Sequence, residues 1–274
     1  GWEGTFLESG TIKLKRVNIF LPQKHTESAQ IEVFNNLFMS IAEQMGFVLE
    51  KTAQSITIKE RLDFSCAIFD RDGELVANAP HMPVHLGSMD STVKSVIKNN
   101  STLSPGDLFA INAPYNGGTH LPDITIVNPI WNSKKSEIIF FTAARGHHTD
   151  IGGLTPGSMP CNSTDIHEEG IYIDNWKIVD NGVFKEDEIK NKLLSGSHPA
   201  RSPLTNIADL KAQIAACKKG EVELLKIVDK YGLETVFRFQ ELVCQNAENA
   251  VRESIKSIKT TEFTYQMDDD LSGA

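Results

Sequence analysis

Two short segments hold most of the side chains able to do acid–base or metal chemistry: GGTHLPD (Gly117 to Asp123) and RGHHTD (Arg145 to Asp150). The chain has only eight histidines, yet two stand side by side at positions 147 and 148. Adjacent imidazoles are awkward to bury without partners. They are useful where ring nitrogens serve a metal, a proton or a phosphorylated group. Pro122 excludes a helix interior, so His120 and Asp123 lie on a bend rather than on one helical turn.

The segments that follow and precede these clusters, DITIVNPIW and EIIFFTAARG, read as strands, with residues 132–135 closing a hairpin between them. Hairpin pairing brings the far ends of the two strands together, so His120, Asp123 and the histidine pair converge. Two imidazoles and one carboxylate form a facial set with open positions for a catalytic divalent metal such as Mn, Fe or Zn. Neighbouring side chains on a strand point to opposite faces, so only one of the pair can join the set. The expected ligands are His120, Asp123 and His148, with His147 and Asp150 acting on the substrate; the reverse assignment of the pair stays open. His81 and His85 flank a proline and are expected to line the cleft, with His85 touching substrate. Cys161 reads as a plain thiol.

The elements that must hold this cluster are a mixture of strands and helices. Phe34, Leu37, Phe38, Ile41, Met45 and Val48 recur at helical spacing, with Ser28 as a possible cap and Gly46 near the end. DFSCAIFDRDGELVANA reads as a hairpin, and HMPVHLGSMDSTVKSVIKNN as a loop and then a helix capped by Ser88 or Asp90. DLFAINAPYN is a further strand, and IYIDNWKIVDNGVF a further hairpin. Between residues 145 and 170 no period is visible, which marks a functional loop. Two helical stripes follow, Ile207, Leu210, Ile214 and Cys217, then Val236, Phe239, Val243, Ala247, Ala250, Val251 and Ile255. The fold class expected is mixed α/β (α+β), an antiparallel-rich sheet with packed helices. Residues 1–27 form an arm or linker and residues 28–274 one domain, sheet-rich over 56–184 and helical over 185–258. A strand-like start at Glu262 to Met267 suggests a larger domain cut short.

Composition narrows the classes of partner. A net charge of −9 argues against nucleic acid, which needs a basic face. The longest apolar runs are too short to span a bilayer. Four scattered cysteines without a CxxC pair suit free thiols, and with no secretory leader they suggest a cytoplasmic protein. No GxxxxGK[ST] phosphate-cradling loop occurs in the sequence.

KERLDFSCAIFDRDGELVANAPHMPVHLGSM, NAPYNGGTHLPDITIVNPIW and ARGHHTDIGGLTPGSMP, in that order, resemble the hydantoinase B / 5-oxoprolinase family. The likeness runs from about Ile31 to the final MDDD, leaves 1–27 uncovered, and corresponds to the N-terminal half of a longer family domain. It implies a hydantoinase A-type subunit or fused domain that binds ATP and phosphorylates the substrate carbonyl, in a multi-subunit assembly. The B-type part would then open a small cyclic amide, 5-oxoproline or a hydantoin. In the acetone and acetophenone carboxylase branch the outcome is carboxylation, and the metal ligands of the former would fall on His120, Asp123 and one of His147 or His148. A scaffold subunit without chemistry is the third reading. In this frame Arg145 would pair with a carboxylate or phosphate, and the backbone at Gly152 and Gly153 would approach it closely.

Overall fold

The computed structural model describes residues 2–6, 12–16, 26–260 and 262–265. Strands β1 (Trp2–Phe6) and β2 (Ile12–Arg16) form a separate antiparallel pair. The main body is a seven-stranded sheet in which every pairing is antiparallel. It is built from β3 (Phe64–Asp70), β4 (Leu75–Asn78), β5 (Leu108–Ile111), β6 (Asp123–Trp131), β7 (Ile138–His147), β8 (Trp176–Asp180) and β9 (Val183–Phe184), in the order β4-β3-β7-β6-β5-β8-β9. The expected mixed fold and its hairpins are present.

Helix α1 (Glu27–Thr52) packs Phe34, Phe38, Ile41, Met45 and Leu49 on one side of the sheet. Its cap is Thr26, whose hydroxyl accepts from the Ala29 amide, not Ser28. The helix also runs past Gly46. A Cβ there would lie 2.4 Å from His81 Nε2, so Gly46 serves a close approach and not a helix end. Beside α1 lies α5 (Pro203–Tyr231), where Gly220 lets the helix settle against Met45 and Thr142. Short α2 (Ile56–Lys59) and α4 (Glu186–Leu193) buttress the two ends, and α6 (Leu233–Ser257) follows α5.

The opposite side of the sheet is covered by α3 (Pro83–Asn99), whose Met89, Val93 and Val96 meet Phe69, Phe109, Val127 and Phe141. It starts at Pro83, five residues before Ser88, because proline's fixed φ suits the first helical position. Neither Ser88 nor Asp90 is the cap. Odd-numbered residues of the β6 and β7 ends thus face α3, while Ile124, Ile126 and Ala144 face α1 and α5. Glu262 to Tyr265 are not in a strand, and the remainder of that expected strand lies outside the described residues. Among the described residues no helix is long and apolar enough to cross a membrane.

Candidate metal centre

The β6–β7 hairpin does bring the chemical residues together, and its register decides which. Asp123 is directly opposite His147, and Thr125 opposite Arg145. His147 Nδ1 lies 3.0 Å from Asp123 Oδ1, and His120 Nδ1 lies 2.9 Å from Asp123 Oδ2. One ligand atom from each of His120, Asp123 and His147 falls within 4.8 Å of the others, with Asp123 buried and both imidazoles partly open. An N,N,O set of this spacing fits a divalent cation. The Thr119 hydroxyl donates to Asp123 Oδ2 and fixes the carboxylate from the same bend. Thr57, on α2, donates to the His147 carbonyl at 2.7 Å.

The expectation that His148 faces Asp123 is reversed by this register. His148 has no exposed surface and points to the α5 side. Gln213 donates its amide hydrogens to the carbonyls of Ile124 and Ala144, so its oxygen must accept from His148 Nε2, 3.0 Å away. Asn206 donates to His148 Nδ1 at 3.2 Å. Both ring nitrogens are therefore occupied by α5, and burial lowers the His148 pKa, leaving it neutral.

Arg145 is equally sealed. Its Nε donates to Thr125 Oγ at 2.7 Å, Nη1 to His85 O and Ser88 Oγ, and Nη2 to Thr92 Oγ and Gly117 O. Burial brings its pKa down to about 10, opposed by the charge of Asp123, so it stays cationic at neutral pH. The guanidinium holds the 117 bend to α3 instead of meeting substrate. The Asp150 carboxylate accepts from the amides of Gly152, Gly157 and Arg201 and from Arg201 Nη1 at 2.7 Å, which organises the loop after β7. Gly152 and Gly153 have φ of +97° and +91°, and their amides are used within the fold, donating to Asp150 Oδ1 and to the His198 carbonyl. They are turn glycines.

His85 does reach the cluster, though from a buried position. Its Nε2 is 3.4 Å from Asp123 Oδ2 and 3.6 Å from Asp63 Oδ1, and Nδ1 is 3.3 Å from Ser65 Oγ. Asp63 was not among the expected residues; it stands alone in sequence just before β3, with no spacing signal. Burial alone would raise the Asp123 pKa, but hydrogen bonds from His120 and His147 and the nearby His85 hold it well below the usual carboxylate range. The same pairing with Asp123 raises the pKa of His120. All four cysteines are free, and Cys161 is exposed.

A family model described as hydantoinase B/oxoprolinase matches residues 27–272. The chain is 46% identical over 250 residues to 5-oxoprolinase 1 of Arabidopsis thaliana, covering 88% of this chain and 20% of that protein. It therefore spans about a fifth of the length of such curated relatives. Among solved structures, the ATP-dependent caprolactamase from Pseudomonas jessenii superposes with a TM-score of 0.76 at 27% identity, over 86% of this chain and 40% of that one. Nucleotide-free acetone carboxylase shares the fold, with a TM-score of 0.72 at 20% identity over 78% of this chain and 28% of that one. With three sequence blocks, a matching fold and a family model spanning nearly all of its length, the chain belongs to the hydantoinase B/oxoprolinase family.

Proposed function

We propose that this chain is the ring-opening part of an ATP-dependent cyclic amide hydrolase, acting on 5-oxoproline or a related lactam. The observation that carries the reading is the His120–Asp123–His147 cluster at the open end of the β6–β7 hairpin, in a chain so similar to a 5-oxoprolinase. A hydantoinase A-type component would bind ATP and activate the amide carbonyl by phosphorylation. An amide carbonyl is a poor electrophile, and a phosphorylated one carries a good leaving group. The ATP-dependent caprolactamase, a lactam-acting relative by name, supports this division.

In this reading His120, Asp123 and His147 would hold a divalent cation of the Mn, Fe or Zn class. When bound, such a cation supplies Lewis-acid polarisation and favours attack by water near neutral pH. The chain's own residues do the positioning. Asp123 is held by Thr119 and the imidazoles, and the His147 backbone by Thr57. His120 is the most exposed member, at 37% of its side chain, and so is the histidine that substrate would meet first.

Metal analysis after chelation and reloading tests the cluster. About one equivalent is expected in the parent chain and in His148→Ala, with loss in His120→Ala, Asp123→Ala and His147→Ala. Full metal content in Asp123→Ala would sink the site. Assayed together with the ATP-binding component, Asp123→Asn should abolish ATP-dependent turnover of 5-oxoproline.

A further inference from the structure

Next to the metal cluster one imidazole stands between two carboxylates. His85 is 1% exposed, and its Nε2 lies 3.4 Å from Asp123 Oδ2 and 3.6 Å from Asp63 Oδ1. A lone pair directed at two carboxylates would be repelled by both, so Nε2 carries its hydrogen. The rest of the residue is fixed from three other directions. Nδ1 lies 3.3 Å from Ser65 Oγ, the backbone amide donates to the Met82 carbonyl at 3.2 Å, and the His85 carbonyl accepts from Arg145 Nη1 at 3.1 Å. A ring so enclosed does not reach substrate, and turning it away from the carboxylates would break its contact with Ser65.

Asp63 is held as firmly. Its amide donates to the Thr57 carbonyl and its carbonyl accepts from the His147 amide, each at 3.0 Å, so its backbone is tied to the segments that carry and support His147. The chain reaches it through Leu62 at φ +55°, a left-handed conformation that leucine rarely adopts. Such strain persists where the surroundings over-determine it, and it clusters at functional sites. The fold thus fixes a second carboxylate close to Asp123, although like charges repel. His85 is the donor that faces both.

We infer that His85 is a positioning residue of the metal centre: it offsets the repulsion between Asp63 and Asp123 and so keeps the Asp123 carboxylate turned towards His120 and His147. It acts through Asp123 and touches neither the cation nor the substrate. The inference rests on the metal-binding reading of the cluster and adds to it a group that sets the affinity. Partners that orient a metal ligand typically contribute about 10- to 100-fold in metal affinity.

Isothermal titration of the metal-stripped chain with Zn²⁺ tests it, using two substitutions that divide the functions of the ring. In His85→Gln an amide N–H takes the place of Nε2, and the contact with Ser65 is given up. In His85→Asn the side chain reaches Ser65 from the position of Nδ1, and the donor to the carboxylates is lost. Both should lower the melting temperature, as a purely structural role also requires. Metal affinity separates them: His85→Gln should bind Zn²⁺ nearly as the parent does, and His85→Asn about 10- to 100-fold more weakly. Equal affinities in the two variants, or parent-like affinity in His85→Asn, would overturn the role. If His85→Asn does not fold, Ser65→Ala decides, because it releases the ring by removing a single oxygen: weaker Zn²⁺ binding supports the role and unchanged binding overturns it. A parent chain that takes up no Zn²⁺ removes the cluster and this role together, whereas parent binding without a difference between the two variants removes the role alone.

Discussion

A guanidinium shut away from solvent has to satisfy five N–H donors with protein acceptors, and Arg145 does so with two carbonyls and three hydroxyls drawn from β6, α3 and the 117 bend. That makes it the tie between the ligand-bearing bend and the sheet. Arg145→Lys keeps a charge but cannot reproduce a planar fork with five donors. Losing one side of a buried charged network typically costs about 3–5 kcal/mol. Denaturant unfolding of Arg145→Lys and Arg145→Met should show losses of that order. A variant as stable as the parent but defective in ligand binding would return Arg145 to the substrate. The same residue shows what sequence could and could not reveal. Its place beside the cluster was readable from the hairpin, but its burial was not, because two of the three hydroxyls that enclose it, those of Ser88 and Thr92, come from α3, 57 and 53 residues away in sequence. The histidine pair failed for a related reason. Which ring faces Asp123 depends on strand register, and the β6–β7 register shifts between Ile130 and Trp131. A shift of one residue exchanges the two faces of a strand, so alternation counted from the turn does not decide between His147 and His148.

At the scale of the elements, the strands on the far side of β5 are held by one buried carboxylate. Asp107 accepts from the amides of Ser104 and Asn181 and from Lys177 Nζ at 2.8 Å, clamping β5, β8 and the turn between β8 and β9. Burial alone would raise its pKa, but Lys177 and the two amides outweigh this and bring it below the ordinary value. A carboxyl whose folded pKa is depressed contributes stability above its unfolded pKa of about 3.9, and that contribution is lost as pH falls through the folded value. Asp107→Asn should therefore melt below the parent at pH 7, with the gap closing as pH falls below about 4. A gap unchanged down to pH 2 would show that hydrogen bonding alone accounts for it. The strand and helix types were legible from their periods, since β3, β6, β7 and α5 each carry a clear apolar pattern. Helix starts were less so. Thr26 and Pro83 act through local geometry that a competing Ser28, Ser88 or Asp90 imitates in sequence.

Across the whole molecule the packing thins along α6. Val236, Phe239 and Val243 are buried, with Phe239 stacked on Phe34 at 4.5 Å between ring centroids, so the first half of the helix closes the α1–α5 layer. Beyond it, Val251 and Ile255 are 58% and 59% exposed, although both continue the apolar stripe seen in sequence. Periodicity reports which face of a helix is apolar, not whether a neighbour covers it. Stability should follow burial and not helix length, because helical stability in proteins comes mainly from packing. Phe239→Ala should cost about 3–5 kcal/mol through the cavity it leaves. Replacing both Val251 and Ile255 by Ala should lower the melting temperature by no more than a few degrees, since both side chains are mostly exposed. Hydrogen exchange on the intact chain supplies the independent check. Amides of residues 246–257 should exchange far faster than those of β3, β6 and β7, and comparable protection along all of α6 would mean that its second half is covered in solution, for instance by a second copy of the chain.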